Sequence, residues 1–180
     1  DAISGMEPGQ PYAAPARPES YLAGLHEPFA RPLRIAKWTK TWDDFPIAPE
    51  CLEAVGKASD LLTGLGHEVV EAALPDLKYA SFVQAITQVM AANVTVTVNG
   101  FLRRIPKTDL TQMLEPAILD AYHIGQSLTA EEYVLAITRF HAIGRLLDNI
   151  LTDYDALLTP TLTQLPLKLG TLTMQDGFRD

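Results

Sequence analysis

Apolar and polar residues alternate along the middle of the chain in an order that predicts a strand, a helix and a second strand. Residues 33–38 follow Pro32 and predict the first strand, and residues 67–72 predict the second. Between them, Pro49 suits the first turn of a helix and Gly66 suits its end. One face of this helix carries apolar residues at helical spacing, namely Leu52, Val55, Leu62 and Leu65. The short connections predict a right-handed βαβ unit with parallel strands.

Two further helices are predicted after Pro75, over residues 77–99 and about 110–126. The first of them ends in a β-branched run, 94–98, which favours a strand by propensity. We expect this run to stay helical, because packing often overrides propensity. The residues predicted to share one side of the first helix are Phe82, Ile86, Val89 and Asn93.

The clearest helix pattern begins at Thr129, which stands three residues before Glu132 in capping-box spacing. An apolar stripe then continues to a helix end near Thr152, and consists of Tyr133, Ile137, Phe140, Gly144, Leu147 and Leu151. Residues 156–159 predict a buried strand closed by Pro160. Residues 165–180 predict a loop with one edge strand.

Prolines punctuate the first part of the chain at positions 8, 11, 15 and 18. Proline lacks an N–H and fixes φ, so we predict an extended connector there, with no helix or central strand. The spacing leaves a proline-rich docking ligand as an alternative. Residues 1–5 have the pattern of a last helical turn stopped by glycine, and we therefore expect the chain to be a piece of something longer.

Composition indicates an ordinary globular domain. The chain has 180 residues, of which 47% are apolar and 20% charged, which is enough for one domain with a core. No run of about 18 uninterrupted apolar residues occurs, so we expect no membrane span. The net charge of −8 makes nucleic acid and anionic membranes poor partners. The basic cluster Arg103, Arg104 and Lys107 is interpreted as a solvated turn.

Few residues suggest chemistry. Cys51 is the single cysteine, so neither an internal disulfide nor a cysteine metal cluster is expected, and a reducing, cytoplasmic location fits. Asp120, His123 and Ser127 share one helical face and have the types of an acid, a base and a nucleophile. Because side chains on one helix stack side by side, a solvated or capping role is the preferred interpretation. The four histidines are scattered, and we predict no metal and no cofactor.

Trp38 and Trp42 bracket the loop after the first predicted strand. Ligands of parallel sheets gather beyond the carboxyl ends of the strands, so the two tryptophans are candidates for a binding wall. Core or lid packing is the alternative and the default for tryptophan.

Several segments together resemble amidase signature enzymes, in the family's order and spacing. They are DAISGMEPGQP at 1–11, LRIA at 33–36, LGHEVVEAALP at 65–75, AANV at 91–94 and YDALLTPTL at 154–162. The last is similar to the family's late buried strand and is the most telling. AANV resembles the branch related to 6-aminohexanoate cyclic dimer hydrolase. The resemblance covers nearly the whole chain.

The resemblance implies an α/β fold with a mixed β-sheet and flanking helices, incomplete in this chain. Residues 1–180 would form one partial amidase domain, with a connector at 1–31 and a scaffold at 32–180 whose helical segment is 77–152. It also implies cleavage of C–N amide bonds by a Ser–cis-Ser–Lys triad, with backbone N–H groups of a glycine-rich loop stabilising the oxyanion.

The family's catalytic patterns do not occur in these residues. The five serines are Ser4, Ser20, Ser59, Ser81 and Ser127, and none has a Gly-Gly neighbour. None of the six lysines matches the family's catalytic position, so no catalytic residue is assigned. We expect an amidase in the parent protein and an inactive piece here.

The resemblance does carry over part of a substrate site. In relatives the helix after the Leu-Pro turn faces the acyl-binding side, and alignment makes Thr87, Met90 and Asn93 the substrate-binding candidates. That they are ordinary core positions is the alternative. The expected partner is a small-molecule amide.

Two other functions stay open. One is a non-catalytic α/β binding or assembly module, and the other is an unrelated small α/β hydrolase that uses His123. Because the predicted strands are few, unpaired edges and uncovered apolar faces are expected to make the chain alone homo-oligomeric or poorly soluble.

Overall fold

The computed structural model describes residues 2, 4–13, 16 and 18–178. A small sheet and a layer of helices make up an α/β arrangement, as the sequence predicts. In chain order the elements are α1 (Tyr21–Gly24), β1 (Arg34–Lys37), α2 (Pro49–Gly64), β2 (Glu68–Glu71), α3 (Tyr79–Leu102), α4 (Pro116–Ser127), α5 (Ala130–Leu151) and β3 (Ala156–Leu158), with 3-10 turns at Trp42–Asp44 and Leu110–Gln112.

The sheet has three strands in the order β2-β1-β3. Both pairings of the central strand β1 are parallel, which confirms the parallel βαβ unit. The antiparallel partner of the expected mixed sheet is not seen within the described residues. Across β1 and β2, Arg34 faces Glu68 and Lys37 faces Glu71, at 3.7 and 3.3 Å. These charged pairs mark one edge of the sheet, whereas β3 at the other edge is apolar.

Helix α2 begins and ends where the sequence predicts. Pro49 occupies its first turn, and Gly66 follows its end with a φ of 91°, a left-handed conformation that favours glycine. Val55 is buried. The expected apolar stripe is wrong at both ends, because Leu52 is exposed and Leu65 lies beyond the last helical turn and is 66% exposed.

Helix α3 confirms the helix predicted at 77–99, and its β-branched end is helical. It packs against both α4 and α5. The side predicted from the apolar pattern is only partly buried: its three apolar residues are half-buried and Asn93 is exposed. The buried residues are Ala85, Ala91 and Val98. Small side chains allow the helices to approach closely, and the pattern of large apolar residues does not reveal this.

Helix α4 begins later than predicted. Residues 110–112 form a 3-10 turn instead, in which Asp109 accepts a hydrogen bond from the backbone of Thr111 at 3.0 Å. Pro116 then opens α4, because proline fits the first turn of a helix but disrupts its interior.

Helix α5 has the predicted capping box. The Glu132 N–H donates to Thr129 Oγ1 at 3.2 Å, and the Thr129 N–H donates to Glu132 Oε2 at 2.8 Å. The hydrogen bonds from the backbone and side chain of Thr129 lower the pKa of the Glu132 carboxyl. The predicted stripe is only partly right: Tyr133 and Leu151 at its two ends are exposed, and the buried position is Ala136.

The two ends of the chain are irregular where they are described. Asp1, Ile3, Pro15 and Asp180, on which parts of the predicted helix end, connector and tail fall, lie outside the described residues. The connector contains α1, which the sequence did not predict and which Ser20 caps. No edge strand occurs between residues 165 and 178.

Helix α3 is also long and apolar enough to cross a membrane, judged by length and composition alone. Among the described helices it is the one that meets this test, although its sequence lacks an uninterrupted apolar run. Two other helices pack against it, and the side chain of Thr95 is hydrogen-bonded to α4. These contacts join α3 to the helical layer, and 17% of its apolar 18-residue window is buried.

Asp155 ties the connector to the sheet. Its carboxylate receives two hydrogen bonds from the Arg31 guanidinium, at 2.6 and 2.8 Å, and one from the backbone N–H of Arg34 at 2.8 Å. The side-chain bonds from Arg31, followed by the backbone bond from Arg34, lower the pKa of Asp155 to about 2. The charged carboxylate is thus bound at the start of both β1 and β3.

Replacing Asp155 with asparagine is expected to destabilise the fold at neutral pH. A carboxyl whose pKa is depressed by folding stabilises the protein above its ordinary pKa of 3.8, and this contribution is lost as the pH falls toward about 2. Urea midpoints at pH 7 and pH 2.5 measure the effect, with the exposed pair Lys57–Glu53 as control through Glu53→Gln. An Asp155→Asn variant whose urea midpoint is lowered equally at both pH values would contradict this expectation.

Candidate functional site

The three residues predicted to bind substrate lie on the outward half of α3. Successive residues of an α-helix are turned by about 100°, so Thr87 and Asn93 lie about 120° apart with Met90 midway between them. Met90 is 50% exposed and Asn93 is exposed, while Thr87 is half-buried. The three therefore span about 120° of the helix surface, and Thr87 lies at its inner border, about 40° from the buried Ala91. The alternative of core positions does not describe Met90 or Asn93.

Hydrogen bonds within α3 hold the two polar side chains of this face. Thr87 Oγ1 donates to the Val83 carbonyl at 3.0 Å, and Asn93 Nδ2 donates to the Val89 carbonyl at 2.8 Å. The Asn93 amide has a second N–H and an acceptor oxygen, and the Thr87 hydroxyl can accept. The face therefore combines a flexible thioether chain with groups that can hydrogen-bond to an amide.

An aromatic cluster connects the carboxyl end of β1 to the start of α3. Trp38 contacts Trp42 edge-on at 5.9 Å, Trp42 stacks on Tyr79 at 6.4 Å, and Phe82 contacts Phe140 of α5 at 6.0 Å. Trp38 is only 6% exposed, and Trp42 Nε1 donates to the Pro75 carbonyl at 2.9 Å. These contacts fit the packing alternative for the two tryptophans.

The Asp120, His123 and Ser127 set is not assembled. Asp120 accepts a hydrogen bond from the backbone of Phe178 at 3.0 Å, and Ser127 Oγ donates to the Ile124 carbonyl at 2.8 Å. His123 Nδ1 lies 3.3 Å from Gln126 Oε1. Each side chain has a separate partner, so the three do not form a relay, and the solvated or capping interpretation fits them.

The remaining histidines also have no common site. His67 Nδ1 accepts a hydrogen bond from the Leu33 N–H at 3.2 Å, whereas His26 and His141 are exposed. No cluster of three His, Cys, Asp or Glu residues suited to a metal ion occurs in the part of the chain that the structure describes.

An apolar cleft of about 360 Å³ lies beside the carboxyl end of β3. Helix α2 lines one side with Cys51 and Val55, and the segment after β3 lines the other with Pro160 and Leu165. Sequence reasoning did not select these residues. The signal that could have found them is the tendency of parallel sheets to place ligand clefts beyond the carboxyl ends of their strands.

Comparisons with known proteins agree along the chain. The family model described as Amidase matches residues 1–178. The 6-aminohexanoate-cyclic-dimer hydrolases of Paenarthrobacter ureafaciens and Pseudomonas sp. (strain NK87) are each 27% identical over 183 residues, and each alignment covers 98% of this chain and 36% of the relative. The chain thus spans about a third of the length of the curated relatives it matches.

Solved structures share the fold. A structure of 6-aminohexanoate cyclic dimer hydrolase complexed with substrate has a TM-score of 0.83 at 20% identity, covering 96% of this chain and 36% of that chain. The structure of a bacterial aryl acylamidase, one of the amidase signature enzymes, has a TM-score of 0.67 at 19% identity. The match covers 78% of this chain and 29% of that chain. The sheet and helical layer described above are therefore those of a larger known fold.

Proposed function

Because the chain belongs to the Amidase family, we propose that it is part of a hydrolase that cleaves C–N amide bonds. The family match over residues 1–178 is the observation that carries this proposal. The solved relatives, a cyclic dimer hydrolase and an aryl acylamidase, support amide hydrolysis in general. The net charge of −8 and the single cysteine support a cytoplasmic enzyme that acts on small molecules, without nucleic acid or a membrane as partner.

The proposed mechanism uses a Ser–cis-Ser–Lys triad that lies outside these residues. The lysine removes a proton through the bridging serine, and the nucleophilic serine then attacks the amide carbonyl. Backbone N–H groups stabilise the oxyanion, the amine leaves with the proton that the lysine returns, and water hydrolyses the acyl-enzyme. The separate partners of Asp120, His123 and Ser127 support this proposal, because the described residues offer no competing nucleophile relay.

Within that enzyme, we assign the outward face of α3 to the wall of the acyl site. Met90 would lie against the apolar part of the acyl chain, while Thr87 and Asn93 would contact its polar groups. The names of the curated relatives point to amides with flexible methylene chains, which a methionine side chain can accommodate because it is unbranched and adaptable.

The full-length protein encoded around this segment tests the function directly. Release of amine is measured with linear and cyclic 6-aminohexanoate dimers and with an aryl acylamide. We expect turnover of at least one of these substrates. A folded full-length protein that binds them but hydrolyses none would favour the alternative, a non-catalytic binding or assembly module.

Replacing Met90 with alanine in the full-length enzyme is expected to raise KM about 10-fold, because a pocket that loses apolar contact loses about 1–3 kcal/mol per methylene-sized group. The effect on kcat is expected to stay within about twofold, since the contact is the same in ground and transition states. Met113, which is 55% exposed like Met90 at 50% but lies outside α3, provides the control Met113→Ala. Equal KM values for the two variants would show that Met90 does not line the acyl site.

A further inference from the structure

A seam of part-buried polar contacts lies between α3 and α4. The Thr95 hydroxyl donates to the Tyr122 carbonyl at 3.0 Å, and the Tyr122 hydroxyl donates to Asn99 Oδ1 at 3.0 Å. Gln126 Nε2 in turn donates to the Tyr122 hydroxyl at 3.0 Å. Tyr122 is 6% exposed, so its hydroxyl depends on these two partners. Rotating α3 against α4 would break these part-buried hydrogen bonds, which is unfavourable.

The seam also includes a close approach of the two helices. A Cβ added at Gly125 would overlap Thr95 Oγ1 and the Ala91 carbonyl oxygen, and would lie 2.7 Å from the Ala91 carbonyl carbon. Ala91 and Ala121 are fully buried. The two helices have no space to slide past each other, and the hydrogen bonds between them are directional. The contact therefore defines one orientation of α3 about its own axis, its rotational setting.

This setting determines which side chains of α3 point outward. Asn99 follows Met90 by nine residues, which at about 100° per residue places the two on opposite sides of the helix. The hydrogen bond that holds Asn99 toward α4 therefore also holds Met90 away from it. The seam and the acyl wall are the two faces of one rigid helix.

We propose that Tyr122 is a positioning residue for substrate selectivity, which it controls by fixing the rotation of α3. The proposal rests on the assignment of the outward face of α3 to the acyl site. Tyr122 itself does not touch the substrate. Its hydroxyl selects one orientation of the helix and so keeps the acyl wall in place.

The test uses the full-length enzyme and two amide substrates that differ in acyl chain length. Tyr122→Phe removes the hydroxyl and leaves the ring. We expect the ratio of kcat/KM between the two substrates to change at least fivefold through KM, with kcat changed less than twofold. Asn99→Asp, which keeps an acceptor for the Tyr122 hydroxyl, should retain the wild-type ratio, and Asn99→Leu should reproduce the effect of Tyr122→Phe.

Thr129→Ala serves as the matched control, because it weakens the cap of α5 without touching the seam. Its thermal midpoint should fall while the substrate ratio stays unchanged. If Tyr122→Phe behaves in the same way, a purely structural role is established and the positioning proposal is overturned. That outcome leaves the proposed function standing, whereas absence of turnover in the unsubstituted enzyme would overturn both.

Discussion

Replacing Gly125 with alanine is expected to lower the free energy of unfolding by about 3 kcal/mol, at the upper end of the range for overpacked cores. The new methyl group would meet the Thr95 side chain and the Ala91 carbonyl. A backbone carbonyl cannot turn away as a flexible side chain can, so α3 and α4 must separate. Their separation would also break the hydrogen bond between Thr95 and the Tyr122 carbonyl.

Gly144 offers a control of the same chemistry in α5. A Cβ built there has nothing within 4 Å. Gly144→Ala is therefore expected to stabilise the protein by about 1 kcal/mol through helix propensity. Urea unfolding measures the change in the free energy of unfolding for each variant, and the two changes should be opposite in sign. A Gly125→Ala variant as stable as the wild type would show that the two helices do not meet as described.

Replacing Trp38 with alanine is expected to lower the free energy of unfolding by about 3–5 kcal/mol. Trp38 follows the central strand β1 and is 6% exposed, with Trp42 packed edge-on against it. Its backbone N–H donates to the Leu158 carbonyl at 2.9 Å. Truncation would leave a cavity where the sheet meets the aromatic cluster.

The two tryptophans differ in the hydrogen bonding of their indole N–H groups, and substitution with phenylalanine tests this difference. Trp38 Nε1 has no hydrogen-bond partner among the described residues, whereas Trp42 Nε1 donates to the Pro75 carbonyl. Trp38→Phe should thus lose only packed side-chain volume. Trp42→Phe should also lose a hydrogen bond that contributes about 1 kcal/mol to stability. Denaturant midpoints of the three variants compare these effects. A Trp38→Ala variant no less stable than Trp38→Phe would contradict the packing assigned here.

Local signals made the βαβ unit and the helix ends predictable. Pro49, Gly66 and the Thr129–Glu132 pair each act through the backbone of their own turn, so their meaning does not depend on the rest of the fold. Parallel pairing of β1 and β2 followed from the short connections around α2.

The faces of the long helices were less predictable, because tertiary contacts decide them. In α3 the pattern of large apolar residues selected Phe82 and Val89, but Ala91 packs so tightly against Gly125 that a Cβ there would overlap its carbonyl. Alanine and glycine give a weak hydrophobic signal although they permit the nearest approach of two helices. A single sequence does not identify which helix supplies the partner.

The candidate site depended on resemblance more than on pattern. Nothing in the spacing of Thr87, Met90 and Asn93 distinguishes them from core residues, and only the alignment with amidases selected them. The structure adds that α4 occupies the opposite side of α3, which leaves this face directed outward. Their contact with substrate stays a prediction, as does the association of the chain with further copies.

Amine release by the full-length protein, compared with release by the 180-residue chain alone, tests the central claim most directly. If these residues form the scaffold and acyl wall of an amidase, the full-length protein hydrolyses an amide substrate and the chain does not exceed the uncatalysed rate. Turnover by the chain alone that disappears in a His123→Ala variant would contradict this account.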